Sequence, residues 1–585
     1  MHVMLLMDLS AGLPEFVATG PRNVIIGREC TYVASRRGGA RRRTTTALSV
    51  AGSRDEDAIL PTGILSQLRQ IDHLVAPGAG LHRIETAWSD SRHAGNSKDQ
   101  SATGQVAEEI PLRIYGSNHD LLNAYYTFIH TYFPILPPPT SEIEPDQPTE
   151  WISTETFTAI PFTPASPVGL AIASILALIP VQPSTGPDPA SAAARRALSR
   201  QFAQASLLQV EEDSDYISRV AGCQSEDLEQ EQPFRLPFHS QVPLELEAIL
   251  ALLVLSNHEH TQCGNLLKMA TRAGQAVIMA KCLSLHRLGI DADVFAEARR
   301  RAWWMTIAEP LGRDDDFTTP YPQFESDKQV WSLYMTSLRI TMSSIRLAAE
   351  HRTAVTAQAD TSTIYERMEE LDARIVECTR RAEEVELAPL YTDPASQETV
   401  AAYRMRGYTR VRLASARIRL HRYQAFSDMP LFNNVYYDLT TSDSPQFPGH
   451  LYQSTPKSAD SVFAVESSTE ICVESALMIA RQLRGLNPRS LRDSSQVLPR
   501  VMPTCTCCAM QATYALLMRL FKLRAMHQVT ATVSRKSERL EEELRNGLRS
   551  VISALAGFAE SFEAIRGMRD EIESAINVAF QGIVL

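Results

Sequence analysis

The chain has 585 residues, with 57 Lys and Arg against 68 Asp and Glu and a net charge of −11. Its 44% hydrophobic and 21% charged content is that of a globular protein, which excludes a wholly disordered chain. The average charge also speaks against a protein coated in nucleic acid along its length.

The charge is uneven along the chain. Residues 21–43 hold seven arginines (Arg22, Arg28, Arg36, Arg37, Arg41, Arg42 and Arg43) against one acid, Glu29, a window of +6. Taking it from the total leaves −17 on the other 562 residues, so a small basic piece precedes a large acidic body.

In chain order, Met1–Met7 is apolar but interrupted by His2 and stopped by Asp8, with no basic residue before it. It does not read as a secretory signal. The basic window closes a first region, 1–43, expected to be mostly disordered. Residues 44–108 are rich in Thr, Ser, Gly and Ala and read as a flexible linker, with one helical spacing at Ile64–Val75. A body then runs over 109–580. Asp120–Phe133 places Leu121, Leu122, Tyr125, Phe128, Ile129 and Tyr132 on one helical face, and Pro134 and Pro137–Pro139 end it. Helices are predicted over 167–179, 188–208, 243–260, 263–287, 295–308, 327–390 (with interruptions), 395–426, 466–485, 503–526 and 535–580. Loops are predicted at Ser427–Ser461 and Arg489–Ser495. Strand patterns are nearly absent, and no fixed-period repeat is present. The expected fold class is all-α, a large multi-helix domain.

The longest apolar run, Val168–Val181, is shorter than the roughly 20 residues a bilayer span requires. No membrane association is expected. Nine scattered cysteines form no disulfide framework, and the chain is expected to be soluble and intracellular.

Candidate chemistry is sparse. His258, His260, Cys263, Cys282 and His286 have a zinc-like spacing, but one helix over 263–287 holds the two cysteines roughly 28 Å apart at about 1.5 Å per residue. Cys505, Cys507 and Cys508 cluster at a helix start and read as packing cysteines, with a reactive or metal-binding role as the alternative. Asp314–Asp316 reads as a solvated loop. The helix 400–426 carries Arg404, Arg406, Arg410, Arg412, Arg417, Arg419 and Arg422 spread around its circumference. That spread suggests arginines whose stems cover apolar surface rather than a nucleic-acid face. There is no P-loop, GxGxxG, HExxH or GxSxG, so the chain is not expected to be an enzyme.

The segment Gly27-Arg28-Glu29-Cys30-Thr31-Tyr32 through Arg36-Arg37 and Arg41-Arg42-Arg43 resembles the closing end of a fungal six-cysteine binuclear zinc cluster. The last ligand is followed by an aromatic residue and a basic arm. Leu121–Tyr126 with His130–Leu136, Gly264–His286, and Glu297–Trp304 with its Arg-Arg-x-Trp-Trp element are similar to the middle homology domain of these fungal transcription factors, of the xylanolytic-activator type. Phe317–Pro322, Cys507–Gln511 and Gly567–Glu571 resemble later segments of one subgroup, so the similarity covers roughly 110–580. In the family six cysteines hold two zinc ions. Here Cys30 is the single remnant ligand, and the next cysteine is Cys223. The helix after Trp304 is also shorter than the family's.

The resemblance implies an RNA polymerase II-dependent, DNA-binding transcriptional regulator in the nucleus. Its cluster is incomplete, and Arg28, Arg36, Arg37, Arg41, Arg42 and Arg43 contact the DNA backbone weakly and non-specifically. Zn(2+) belongs to the intact family, and this chain is expected to bind none. Trp303 and Trp304 are the candidate regulatory pocket for a small-molecule inducer, and a homo- or heterodimer is a candidate assembly. The alternative is a DNA-binding-deficient co-regulator acting through protein–protein or small-molecule contacts of the helical domain.

Overall fold

A computed structural model describes residues 110–153, 162–181, 189–222, 235–290, 293–306, 317–384, 397–426, 465–485, 503, 505–530 and 535–579. Cys30 and the basic arm, the linker 44–108 with Ile64–Val75, the Asp314–Asp316 run and the loops Ser427–Ser461 and Arg489–Ser495 lie outside the described residues.

The chain enters as a short strand, β1 (Ile110–Ile114), which pairs antiparallel with β2 (Thr149–Ser153) with Leu112 opposite Trp151. This two-stranded ribbon is the one departure from an all-α body among the described residues. Five residues give too short an alternation to stand out in sequence, yet Leu112 and Ile114 are buried under the helices. Pro111 fits because this is an edge pairing. Between the strands, α1 (Asn118–Ala124) is capped by Ser117, whose hydroxyl accepts from Asp120 N, and passes directly into a π-helical turn, Tyr125–His130.

Helix α2 (Pro167–Leu176) starts with Ser166 as cap and Pro167 in the first turn. A Cβ on its Gly169 would lie 3.0 Å from the Phe238 ring, so only glycine lets that ring pack there. Helix α3 (Pro189–Gly222) packs on α2, and both lie against α4 (Leu244–Thr261). The Leu250–Leu255 run is buried on every side, as a helix apolar all round must be. Next come α5 (Leu266–Cys282), a 3-10 turn (Leu285–Arg287) and α6 (Ala296–Thr306).

The second half is organised on α9 (Gln397–Ala425), against which α7 (Val330–Thr356), α8 (Ser362–Glu383), α10 (Val465–Gly485) and α11 (Thr506–Thr530) pack. Helices α12 (Arg535–Ala559) and α13 (Glu563–Ala579) close it. α12 is strongly amphipathic, with Leu544, Leu548, Val551, Leu555 and Phe558 at helical spacing facing the core. One apolar cluster runs through both halves, and a smaller one joins α7, α8 and α9.

Two predicted helices are divided. The helix expected over 263–287 begins only at Leu266. Gly264, at φ +63°, turns the chain at the end of α4, and Asn265 then caps α5 by accepting from Lys268 N at 2.9 Å. The helix expected over 535–580 breaks at Glu560–Phe562, where Phe562 is driven fully into the core. The restart at Glu563 is capped from a distance, its N–H donating to Gln262 Oε1 of the α4 end at 3.1 Å. Among the described residues no helix is long and apolar enough to cross a membrane.

Candidate functional site

The arginine-rich helix α9 is the hub of the molecule, and none of its seven arginines is exposed. Each described contact ties a neighbouring segment down. Near the N-terminal end, Arg404 bonds to Thr131 and lies 3.8 Å over the Tyr132 ring. Arg406 pairs with Asp327 (2.7 Å) and donates to the carbonyls of Arg381 and Ala382, while Arg410 donates twice to Ala382 O. Those carbonyls end α8, so two guanidiniums satisfy acceptors that a helix C-terminus leaves open. A surface that docked nucleic acid would present these charges outward; here they are spent internally.

At the start of α9, Glu398 meets Arg301 of α6. The carboxylate receives Arg301 Nη1 and Nη2 at 3.0 and 2.8 Å and His130 Nε2 at 2.6 Å. Arg301, wholly buried, also donates to Glu297 and to Leu136 O at 2.8 Å each. Burial pushes the Glu398 carboxyl upward, but Arg301 and the His130 hydrogen bond outweigh it and hold it at about 2. Burial drives His130 downward, so it serves as a neutral donor. Tyr125, whose hydroxyl accepts from Ile135 N and Leu136 N and sits 3.1 Å from His130 Nδ1, completes the clamp.

The adjoining tryptophans are core residues, with Trp303 0% and Trp304 5% exposed. Trp303 lies between His286 and Phe317, with ring centroids 5.7 and 5.5 Å away. Trp304 packs on Tyr321 at 4.3 Å and donates its indole N–H to Pro320 O at 2.8 Å. They fasten the 317–324 segment onto α6. The Trp303 indole N–H has no hydrogen-bond partner among the described residues.

Towards the other end of α9, Arg417 holds Asp372 through both oxygens (2.7 and 3.0 Å). His421 Nε2 lies 3.2 Å from the same carboxylate, with its Nδ1 3.4 Å from Ser468 Oγ. Burial raises Asp372, but the hydrogen bonds from His421 and Arg417 prevail and bring it to about 2. The order Ser-His-Asp matches a hydrolytic triad, but Ser468 is 0% exposed inside α10, whereas a nucleophile must meet its substrate. The trio is a structural link between α8, α9 and α10.

The last station is chemically different. Arg412 is 1% exposed and 3.4 Å from Tyr334 OH, with its guanidinium over that ring. Beside it lie Cys505, Cys507 and Cys508 at the start of α11, the outer two buried and Cys507 half-buried. Gln511, its amide oriented by the hydrogen-bond network, points its oxygen to Arg419 Nε (2.7 Å) and its nitrogen to the Ser415 hydroxyl (2.5 Å). Hydrogen bonds from Cys505 and Cys507 lower Cys508 well below the ordinary thiol range, helped by Arg412. Burial and the partly ionised neighbour push Cys505 upward, and the hydrogen bond it gives Cys508 does the same for Cys507.

The structure therefore brings the three cysteines together with Arg412, a pairing that sequence spacing does not reveal because 93 residues separate Arg412 from Cys505. It also joins His130, Arg301 and Glu398 from three distant segments. The zinc-like spacing that helix geometry argued against is not gathered: His258 is buried 2.9 Å from Ser199 Oγ, His260 is buried, and Cys263 and Cys282 are exposed. Among the described residues no group of three or more His, Cys, Asp or Glu is arranged to hold a metal ion. Comparison with protein-family models, with curated proteins and with solved structures found no match.

Proposed function

We propose that this chain is a transcriptional regulator of the fungal binuclear zinc-cluster type, acting in the nucleus. In this reading the body is a middle homology regulatory domain, and the DNA-binding cluster is incomplete. One observation carries the reading. The segments that bear the resemblance, Leu121–Leu136, Glu297–Trp304 and Phe317–Pro322, meet through α6: Arg301 bonds to Leu136 O and to Glu398, which also receives His130, and Trp304 holds Pro320 O. Residues shared with a family for packing reasons belong at such a junction.

The donor set does not fit the family's zinc cluster. Two tetrahedral zinc ions need six thiolates, and Cys30 is the only cysteine before Cys223. Because metal binding supplies the folding energy of such modules, an incomplete ligand set takes that energy away. What remains is the basic arm, Arg28, Arg36, Arg37 and Arg41 to Arg43, whose phosphate contacts are salt-dependent and carry no sequence information. The acidic remainder of −17 repels DNA. Trp303 and Trp304, the residues assigned to an inducer response, are packed into the core against His286, Phe317 and Tyr321, and no inducer role is carried forward for them. No catalytic role is assigned.

The second reading, a co-regulator that pairs with intact relatives through its helical body, draws on the same missing ligands. An in-frame upstream coding segment with a Cys-x2-Cys pattern favours the first reading, and its absence favours the second. Metal analysis of the purified chain is expected to find no stoichiometric zinc; two zinc ions per chain overturns the incomplete cluster. In a gel shift at about 150 mM salt, where non-specific phosphate contacts are weakened, no sequence preference is expected. A selective complex there restores a DNA-reading role to this polypeptide.

A further inference from the structure

Helix α5 carries an outer face that no described element covers. Its inner side, Met269, Ala273, Ala276, Val277 and Ala280, is buried. On the other side Leu267 and Ile278 are 60% and 64% exposed, and Thr271 and Cys282 are exposed with them. Positions 267, 271, 278 and 282 follow one another at steps of four and seven, so they form a single stripe along the helix. Among the described residues no other helix exposes two large apolar side chains. The surroundings are cationic. From His260 to Ile290 the chain holds Lys268, Arg272, Lys281 and Arg287 and no Asp or Glu, although the whole chain is at −11. An apolar stripe flanked by uncompensated positive charge fits an apolar helix that brings acidic residues with it.

We propose that the chain's own segment Asp55–Val75 docks on this face, with Ile64–Val75 as an amphipathic helix laid along α5. Three observations select that occupant. First, Ile64, Leu65, Leu68, Ile71, Leu74 and Val75 recur at helical spacing, and Ile64 to Val75 spans eleven positions, as Leu267 to Ile278 does. At about 1.5 Å per residue both apolar stripes are roughly 16 Å long. Second, Asp55, Glu56, Asp57 and Asp72 against Arg69 give the segment −3, opposite the four cations of the face. Third, the 35 residues Ala76–Ile110 that lead from the segment to β1 are long enough. Extended at about 3.3 Å each they reach about 115 Å, against about 60 Å across a compact body of this size. A second copy of the chain is the poorer occupant, because pairing two α5 faces sets cations against cations. The inference stands apart from the transcriptional reading, since it uses neither the zinc ligands nor the basic arm.

The test uses the full chain, and Cys282 is its built-in reporter. Trypsin isolates this cysteine on the peptide 282–287, so its rate of labelling by iodoacetamide can be followed by mass. An effective concentration on the order of 1 mM against an affinity on the order of 0.1 mM protects about tenfold. Leu68→Asp with Ile71→Asp lies outside the described body and leaves its core intact; Cys282 in that variant is expected to label about tenfold faster than in the unmutated chain. Hydrogen exchange supplies a second readout. The amides of 64–75 are expected to be slowed in the unmutated chain and released by Ile278→Glu, a change at an exposed position. Leu208→Glu, at an equally exposed leucine on α3, is expected to leave them slowed. Equal Cys282 labelling with and without the Leu68 and Ile71 changes overturns the proposal, as does equal release by Leu208→Glu and Ile278→Glu. Cys282 protection that sets in only as the protein concentration is raised gives the face to a second copy and overturns it too.

Discussion

Arg301 and Arg412 are the same residue in the same core, 0% and 1% exposed, yet they face different counter-groups. Arg301 is surrounded by carboxylates and a carbonyl, Glu398, Glu297 and Leu136 O, with its forked donors matched in a planar array. Arg412 faces a phenol and three thiols. A carboxylate held at about 2 stays ionised under any physiological condition, so the Arg301 junction is a permanent lock. A phenol and thiols are uncharged in their ordinary state, so Arg412 sits among weaker acids than Arg301 does. Burial of an arginine does not by itself say whether its role is structural or chemical; its counter-group decides.

The comparison can be broken by mutation. Arg301→Met strands Glu398 in the interior without its bidentate partner and is expected to cost about 3–5 kcal/mol, read by denaturant unfolding. Arg412→Met leaves groups that can remain neutral, so the expected loss is smaller, about 1–3 kcal/mol. Equal costs for the two variants erase the distinction.

Acid sharpens it further. His239, His258 and His260 are each held at about 4, chiefly by burial, against an ordinary 6.5. The unfolded chain binds protons there first, so stability is full above pH 6.5 and falls as the pH drops from 6.5 to 4. Glu398, lowered from 4.5 to about 2, contributes about 3 kcal/mol that is present above 4.5 and lost as the pH falls through 2. Glu398→Gln should shrink that lower limb, leaving the part that Asp372 contributes, and keep the histidine limb in place, as measured by unfolding at stepped pH. A profile unchanged by the variant removes Glu398 from the lock. Smallest of all, Gly547→Ala in α12 brings a Cβ within 3.0 Å of Leu477 Cδ2 and 3.1 Å of Leu516 Cδ1. These flexible ends can yield, and a thermal melt should register a loss of about 1 kcal/mol.

Most of the helices were legible because their apolar residues recur at helical spacing and Pro, Gly or capping residues close them: α2 begins at Ser166-Pro167, and α4 reads from an unbroken apolar run. The spread of the α9 arginines around the circumference pointed to stems that cover apolar surface, but not to the carboxylates and carbonyls that their guanidiniums meet. Where the reading failed, the deciding contact came from far along the chain. Phe562 splits the last helix by burying itself, and Gln262 caps the restart across 301 positions of sequence. The π turn at Tyr125–His130 and the β1–β2 ribbon are likewise too short to carry a periodic signal of their own.

Sequence alone determined the helical class and the split between a basic segment and an acidic remainder, because these depend on residue type and local spacing. Only the tertiary structure decided what the buried charges do. A guanidinium acquires its role from whichever acid or carbonyl the fold sets within about 3 Å of it, and those partners lie tens to hundreds of residues away.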